Sequence, residues 1–518
     1  MSHAHDASPS PGGVDGLAAL ARRGTLWTLL SQAYTWAIGF GSRVVLARLL
    51  TPHDFGLVAV VTLVQGAVLL FGLRGVSTAL IQRADDLEAH ANASFWLHPL
   101  VGSAIGVVVL AAAPQVALAF REPLLVPLLR VAALSFFVVP WGATHAALLT
   151  KTLDLPRLTV AHALVGTVMA LGTVLMAFQG YGVWSVVVPV VLADPIRVYV
   201  HWRLCPWRPR VAVALSRWRE LLRYARHVWI ADVLRYCVDN TDYVVVGRLL
   251  GASPLGLYSF AFRQAMFAVQ NATPIAARVA FPTFASLQGH RDALQRHAGK
   301  SLLLLASVTL PLQVGQLALA PEYIAVVYGP RWLPAVDAFR ILLLYGIPLA
   351  VALLVRHVLA AVGSPQTVWK FYALIWPALA AGALLGARAG VLGVALAVGL
   401  ILGLGSWLFV VVGLRLLAWP ARRLLAPLTA PAMASVALYV TVVLLRQVLL
   451  TVGATPAVVL ALGVPTGAAA YALVLARCFP RAWADVVGFA ARAATEVRRD
   501  AGQVVRHLRR RLSFGGAM

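Results

Sequence analysis

Four ionisable residues stand three, four and three positions apart at Asp232, Arg235, Asp239 and Asp242. On a helix turning 100° per residue they fall on one stripe about 80° wide. Facing hydrocarbon, four such charges would cost on the order of 10 kcal/mol, so they are expected to face protein or water. Two chemistries suit the stripe. An arginine holds an anion through a guanidinium fork that stays charged at any biological pH. The carboxylates pair with it, modulate the charge of a cavity, or bind a coupling cation. The run Asp239-Asn240-Thr241-Asp242 superficially resembles a metal-binding acidic pair. With Arg235 one turn away, an ion-pair cluster or a coupling-cation site is expected there rather than a catalytic metal.

Arg43, Arg74 and Arg263 are the other arginines within apolar segments that suit an anion site, together with Arg235. Further inward candidates are Arg130, Asp194, Arg197, Arg278, Arg340 and Arg356, of which Arg130, Arg197 and Arg278 lie where a long side chain can snorkel to headgroups. His98, His145 and His162 are expected to pack or hydrogen-bond rather than to bind a ligand. No catalytic residue, resident metal or cofactor is expected. The three cysteines, Cys205, Cys237 and Cys478, have no metal-type spacing and suggest no disulfide. A chamber holding more arginine than acid suits a large amphipathic substrate carrying phosphate, with its lipid tail left in the bilayer.

The elements that must position these residues are membrane helices. The chain of 518 residues is 60% hydrophobic and 12% charged, with a mean hydropathy of +0.82, so its solvent is mostly lipid. Apolar runs of about twenty residues recur from Leu26 to Ala476, long enough for helices to cross a hydrocarbon core, and the alternation of barrel strands is absent. About fourteen spans are expected. Lys and Arg gather in alternate connections, at Lys151 and Arg157, Arg203 to Arg219, Arg291 to Lys300, and Arg422 and Arg423, and again in the tail. Both termini are therefore expected in the cytoplasm. The formal charge of +24 follows from these loops and that tail, which face anionic lipid headgroups, and calls for no nucleic acid.

The chain also repeats itself. VVLARLLTPHDFGLVA at Val44–Ala59 and VVVGRLLGASPLGLYS at Val244–Ser259 share both valines, Arg48 and Arg248, the Leu-Leu pairs and the Gly-Leu pairs. Pro114, Pro123 and Pro127 match Pro321, Pro330 and Pro334 at one constant offset. A duplication is the reading, with six spans per copy; an even number makes the copies parallel repeats about an axis along the membrane normal, enclosing a central cavity. The first-copy positions matching the charged stripe are Gln32, Thr35, Gly39 and Ser42, all small or polar. Arg48 and Arg248 fall near the outer surface, where they are expected to anchor rather than to bind substrate. The expected organisation is a disordered start over 1–24, an N-lobe over 25–202, a basic linker over 203–220, a C-lobe over 221–417, two further spans over 428–477, and a basic amphipathic tail over 478–518 lying on the inner leaflet.

ARLLTPHDFGLVAVVTLV and GLRGVSTALIQRADDLEAHANASFWL closely resemble the polysaccharide transporter branch of the multidrug/oligosaccharidyl-lipid/polysaccharide flippase superfamily. VVVGRLLGASPLGLYSFAFR, RVAFPTFASLQ and APEYIAVVYGPRWLPAVDAFRIL agree in the second half, so the resemblance covers roughly Gly24 to Leu417. It implies two six-helix lobes in a V, and a Wzx-type flippase moving undecaprenyl-diphosphate-linked oligosaccharide across the bacterial inner membrane. It further implies diphosphate contacts for Arg43, Arg74, Arg235 and Arg263. Asp232, Asp239 and Asp242 depart from a purely cationic chamber and leave a coupled proton or sodium ion open. The implied partners are the lipid-linked oligosaccharide, membrane lipids, and a polysaccharide polymerase or other assembly proteins. The rival readings are a multidrug extruder of the same superfamily, and a membrane-embedded glycosyltransferase or polymerase. The first would favour an acidic cavity, and the second would need larger outward loops.

Overall fold

The computed structural model describes residues 34–82, 86–152, 155–210, 215–286, 291–362 and 366–489, with residues 491 and 495. The expectations for the start over 1–24 and for Gln32 lie outside the described residues, as does nearly all of the tail beyond residue 489. Every regular element described is a helix.

In chain order these are α1 (34–49), α2 (Pro52–Gln82), α3 (Leu87–Phe120), α4 (Leu125–Ala133), α5 (Ser135–Val138), α6 (Pro140–Lys151), α7 (Leu155–Phe178), α8 (Trp184–Leu204) and α9 (Leu215–Leu249). There follow α10 (Ala252–Ser286), α11 (Arg291–Ala318), α12 (Ala320–Tyr323), α13 (Val336–Ala361), α14 (Gln366–Gly386), α15 (Gly390–Leu417), α16 (Ala421–Leu425), α17 (Thr429–Thr451) and α18 (Pro456–Cys478). Among the described residues eight stretches are long and apolar enough to cross a membrane, or nine when α4–α6, bent by 52°, counts as one broken span. One of the eight, Thr367–Leu417, contains both α14 and α15. The bend falls at Pro140, whose ring removes a backbone donor and clashes with the preceding turn. The chain is an all-helical, multi-pass membrane protein.

Helices pack within each half and also across the two halves, where α2 lies along both α9 and α10. In the first half α2, α3, α4, α6, α7 and α8 pack on one another; in the second α10, α11, α13, α14 and α15 do. The two last long helices, α17 and α18, pair with each other, and α17 lies on α11. Glu322, buried on α12, accepts a 2.7 Å hydrogen bond from Nε of Arg446 on α17, which ties this appended pair to the second half. Of the expected linker over 203–220, residues 205–210 are irregular and 215–220 already belong to α9, whose first turns pack on α3. Trp218 donates its indole N–H to the Ala93 carbonyl at 2.9 Å, and Arg217 pairs with Asp86 at 2.7 Å.

The two halves join through the duplicated segments themselves. α2 crosses α10 where Gly56 meets Gly256, the two glycines of the repeated Gly-Leu pair. A Cβ on Gly56 would overlap the Ala252 carbonyl, and one on Gly256 would overlap that of Pro52. Only hydrogen lets two backbones approach this closely. On either side of the crossing the repeated arginines exchange bonds. Arg48 donates to the carbonyls of Val326 and Val327, the latter at 3.1 Å, while Arg248 donates to that of Ala119. Ala119 and Val326 are related by the same offset as Pro114 and Pro321. Trp332, fully buried, donates its indole N–H to the Ala47 carbonyl at 2.8 Å and stacks edge-on to Phe55, with ring centroids 4.8 Å apart. One continuous apolar core runs across this seam, through Ala47, Leu57 and Val60 on one side and Val245, Leu255 and Tyr258 on the other.

The two copies build their first turn by different local chemistry. In the first, Thr51 and Asp54 form a reciprocal cap: Thr51 donates its backbone N–H to the Asp54 carboxylate at 2.9 Å, and the Asp54 N–H donates to the Thr51 hydroxyl at 3.2 Å. In the second, Gly251 turns the chain at φ 98°, a conformation that a side chain would strain. The fold keeps the turn while the sequence changes.

Candidate functional site

The site is built where α1 and α2 of the first half face α9 and α10 of the second. Arg43 lies near the end of α1, half-buried, with its Nε–H given to the Gly39 carbonyl at 2.8 Å. Its guanidinium carbon stands 5.3 Å from the ring centre of Phe267 on α10. Arg263, also on α10 and half-buried, donates Nε–H to the Ser259 carbonyl at 3.2 Å and lies 6.0 Å from the ring centre of Phe55 on α2. Each arginine therefore rests on an aromatic ring of the opposite half. The negative faces of Phe267 and Phe55 offset part of the cost of desolvating two cations, about 0.5–2 kcal/mol apiece.

The two guanidiniums lie within electrostatic reach of each other, and Tyr323 and Tyr328 border Arg43. Those tyrosines meet hydroxyl to hydroxyl at 3.1 Å, and Tyr328 donates to Gln264 at 2.8 Å. Among the described residues neither Arg43 nor Arg263 stands in an ion pair with a carboxylate. Two guanidiniums within electrostatic reach of each other, with no described carboxylate partner, suit an anion with more than one negative oxygen.

The stripe on α9 divides in two. Arg235 lies 3.8 Å from Asp232 and 3.7 Å from Asp239, so these three form a chain along one partly exposed face. Arg356 on α13, which donates to the Tyr372 hydroxyl at 3.1 Å, also exerts its charge on Asp239. Asp242 turns away from that face and is 2% exposed. One of its oxygens accepts the Tyr258 hydroxyl at 2.6 Å and the other the Tyr243 backbone N–H at 2.9 Å. The reason is angular: Asp242 is at the edge of the stripe, about 80° from Asp232, and that edge packs on α10. Of the first-copy counterparts, Thr35 is exposed and Gly39 and Ser42 are half-buried.

The remaining candidates scatter. Arg74 belongs to α2, and its side chain lies outside the described residues, as does that of Arg278 on α10. Asp194 and Arg197 pair with each other at 2.8 Å within α8, and Arg340 pairs with Asp337 at 3.7 Å. His98 is buried among Ser77, Ser94 and Thr144, each at 3.2 Å, and His145 stacks on Trp202 with ring centroids 4.5 Å apart. Sequence reasoning missed the aromatic partners Phe55 and Phe267. Their signal is present in hindsight: the counterparts are Leu255 and Ala67, so neither ring is repeated, and each sits where only one half supplies an arginine.

Residues 45–337 match the family described as "Polysaccharide biosynthesis protein". The chain belongs to this family. Among curated proteins it is 26% identical over 276 residues to the teichuronic acid biosynthesis protein TuaB of Bacillus subtilis (strain 168), covering 53% of this chain and 57% of that protein. It is 24% identical over 383 residues to the lipopolysaccharide biosynthesis protein WzxC of Escherichia coli (strain K12), covering 72% and 76%. The chain thus spans between about half and three quarters of the length of these relatives. Among solved structures it superposes on the lipid II flippase MurJ in an inward closed conformation with a TM-score of 0.73 and 13% identity, over 88% of this chain and 98% of that one. An inward-facing multidrug resistance MATE transporter of the MOP superfamily gives 0.60 at 13% identity, over 74% and 94%. These likenesses show that this family member shares the fold of MurJ and of the MATE transporter, the fold that the resemblance of its repeated motifs implies.

Proposed function

We propose that this family member is a flippase that carries a polyprenyl-diphosphate-linked oligosaccharide across the bacterial inner membrane by alternating access, with both termini in the cytoplasm. The observation that carries the reading is the pair Arg43 and Arg263, contributed by opposite halves, each seated on an aromatic ring of the other and neither neutralised by a described carboxylate. A diphosphate bridging them relieves their mutual repulsion and makes charge-assisted bonds to both halves at once. Binding then couples to the relative position of the halves, because moving one arginine away from the other changes the affinity.

In this reading Arg74 and Arg235 are further diphosphate contacts. Asp232 and Asp239 keep Arg235 paired until substrate arrives, or hold a coupling cation, whereas Asp242 belongs to the packing of α9 on α10. The glycan crosses between the halves while the prenyl tail stays in lipid. The chain acts as a transporter and not as an enzyme, and the product passes to a polymerase or another assembly protein. The similarity to TuaB, named for teichuronic acid biosynthesis, and to WzxC, named for lipopolysaccharide biosynthesis, supports this class of cargo.

Reconstitution into liposomes and measurement of polyprenyl-diphosphate-glycan translocation tests it. Arg43→Ala and Arg263→Ala should each lower the rate at least tenfold while leaving membrane levels normal, since a charge-assisted hydrogen bond contributes about 1.5–3 kcal/mol. Arg43→Lys should fall between, because an ammonium lacks the planar fork. Full transport by both alanine variants would overturn the assignment.

A further inference from the structure

A groove lies beside the kink at Pro140, lined by α5, α6 and α8, and neither Arg43 nor Arg263 lines it. α6 approaches α8 closely at Gly142, where a Cβ would come within 3.3 Å of Val198. The 52° bend falls between α5 and α6, and the groove lined by α5, α6 and α8 has a cavity volume of about 660 Å³. Its walls are apolar: Phe137 and Val138 from α5, Pro195 and Val198 from α8. Tyr199 stands 63% exposed beside it, so the groove opens to the surroundings of the protein. From Pro195 to Arg203 it follows α8 for about 12 Å at 1.5 Å per residue.

The end nearest the close of α8 has a different character. Trp202 donates its indole N–H to the Trp141 carbonyl at 2.8 Å, bridging α8 and α6 across the trough. Arg208 lies with its guanidinium carbon 5.8 Å from the ring centre of Trp202, fixed by bonds from one of its terminal nitrogens to the carbonyls of Cys205 at 2.7 Å and Trp207 at 2.8 Å. That leaves its other donors at the rim. Arg203 is exposed on the same rim and has no ion-pair partner among the described residues. Two guanidiniums and two indoles thus line the same groove as its apolar walls.

We propose that this groove binds an anionic glycerophospholipid of the cytoplasmic leaflet, its phosphate between Arg203 and Arg208 and an acyl chain along Val198, Pro195 and Phe137. Charge complementarity selects the occupant: the quaternary ammonium of a zwitterionic choline lipid would be repelled by two cations at the rim, whereas phosphatidylglycerol presents only negative charge. The indoles suit the headgroup boundary, where amphipathic rings lie. Because α8 packs mainly on α4 to α7, the site is separate from the contact between the halves and stands whether or not the transport reading holds.

Native mass spectrometry of the full chain, delipidated in detergent and titrated with phosphatidylglycerol or phosphatidylcholine, tests the proposal. Phosphatidylglycerol should saturate one tight site that phosphatidylcholine does not fill. Arg203→Ala, which breaks no bond described here, should weaken that site about fivefold, the contribution of one arginine near a membrane surface. Val198→Trp should abolish it by filling the trough. Arg422→Ala/Arg423→Ala, a larger loss of charge on α16, should leave it unchanged. Equal retention of the two lipids, or an Arg203→Ala site as tight as the parent's, would overturn the proposal. So would a loss in the α16 variant equal to that in Arg203→Ala.

Discussion

Gly256→Ala adds one methyl group at the point where the halves cross. Its Cβ would stand 2.7 Å from the Pro52 carbonyl carbon and 3.1 Å from the Gly56 nitrogen, while the carbonyl oxygen is overlapped outright. Carbon atoms rest about 3.5–4.0 Å apart, so the helices must part by about 1 Å. The obstacle is backbone on a rigid helix and no rotamer relieves it. Overpacking of this kind costs about 1–3 kcal/mol. In the transport reading that cost falls on the conformer in which α2 and α10 touch and not on one in which they separate. It therefore shifts the equilibrium between them by roughly 5- to 150-fold.

The assay is maleimide labelling of Ala252→Cys in a background where Cys205, Cys237 and Cys478 are replaced by alanine. Ala252 is 6% exposed at the seam, so a thiol in its place reacts only when the seam opens. Adding Gly256→Ala should raise the labelling rate with a membrane-impermeant maleimide by at least fivefold, and Gly56→Ala should do the same. An unchanged rate in well-folded protein would refute the idea that this crossing is the closed contact of a moving pair. Serine at position 256 should behave as alanine does, since the obstruction is the Cβ itself.

Three further outcomes follow from the same geometry. Arg48→Ala and Arg248→Ala each remove charged bonds to a carbonyl of the opposite half; because both arginines are exposed, each should lower stability by only about 0.5–1 kcal/mol, and labelling of the Ala252→Cys thiol should rise in both. Tyr258→Phe leaves the buried Asp242 carboxylate short of a donor and should cost about 1–3 kcal/mol, seen as a lower Tm, whereas Asp239→Asn on the exposed face should leave Tm nearly unchanged. Glu322→Ala strands the partly exposed Arg446 against α12 and should destabilise by about 1–3 kcal/mol, with limited proteolysis releasing the α17–α18 pair before the rest of the chain unfolds.

The membrane class and the helical fold were legible because lipid imposes a strong one-dimensional signal: about twenty apolar residues per crossing, and charge only where it can be solvated. The duplication was legible because Arg48 and Arg248, with their Leu-Leu and Gly-Leu neighbours, hold the same place in both copies. Their task was less visible. Anchoring was the expectation, but a repeat seen in sequence does not say that each copy's arginine bonds the other copy's carbonyl. That bond requires the two segments to meet, and no periodicity encodes a meeting. The stripe on α9 shows the same limit. Asp232, Arg235 and Asp239 share a face as their spacing predicts, yet Asp242, one step further round, is claimed by Tyr258 of the next helix.

The sequence by itself determined a polytopic helical chain, the recurrence of its Arg-Leu-Leu and Gly-Leu segments, and the arginines that an apolar setting makes costly. Each follows from local chemistry between a residue and its solvent, which the order of residues records directly. Only the tertiary structure decided that Gly56 lies on Gly256, that Arg43 and Arg263 each rest on a ring of the opposite half, and that Arg203 and Arg208 line a trough beside the bend at Pro140. These depend on which helix packs beside which, and that is settled by the summed contacts of many side chains, not by the spacing of a few.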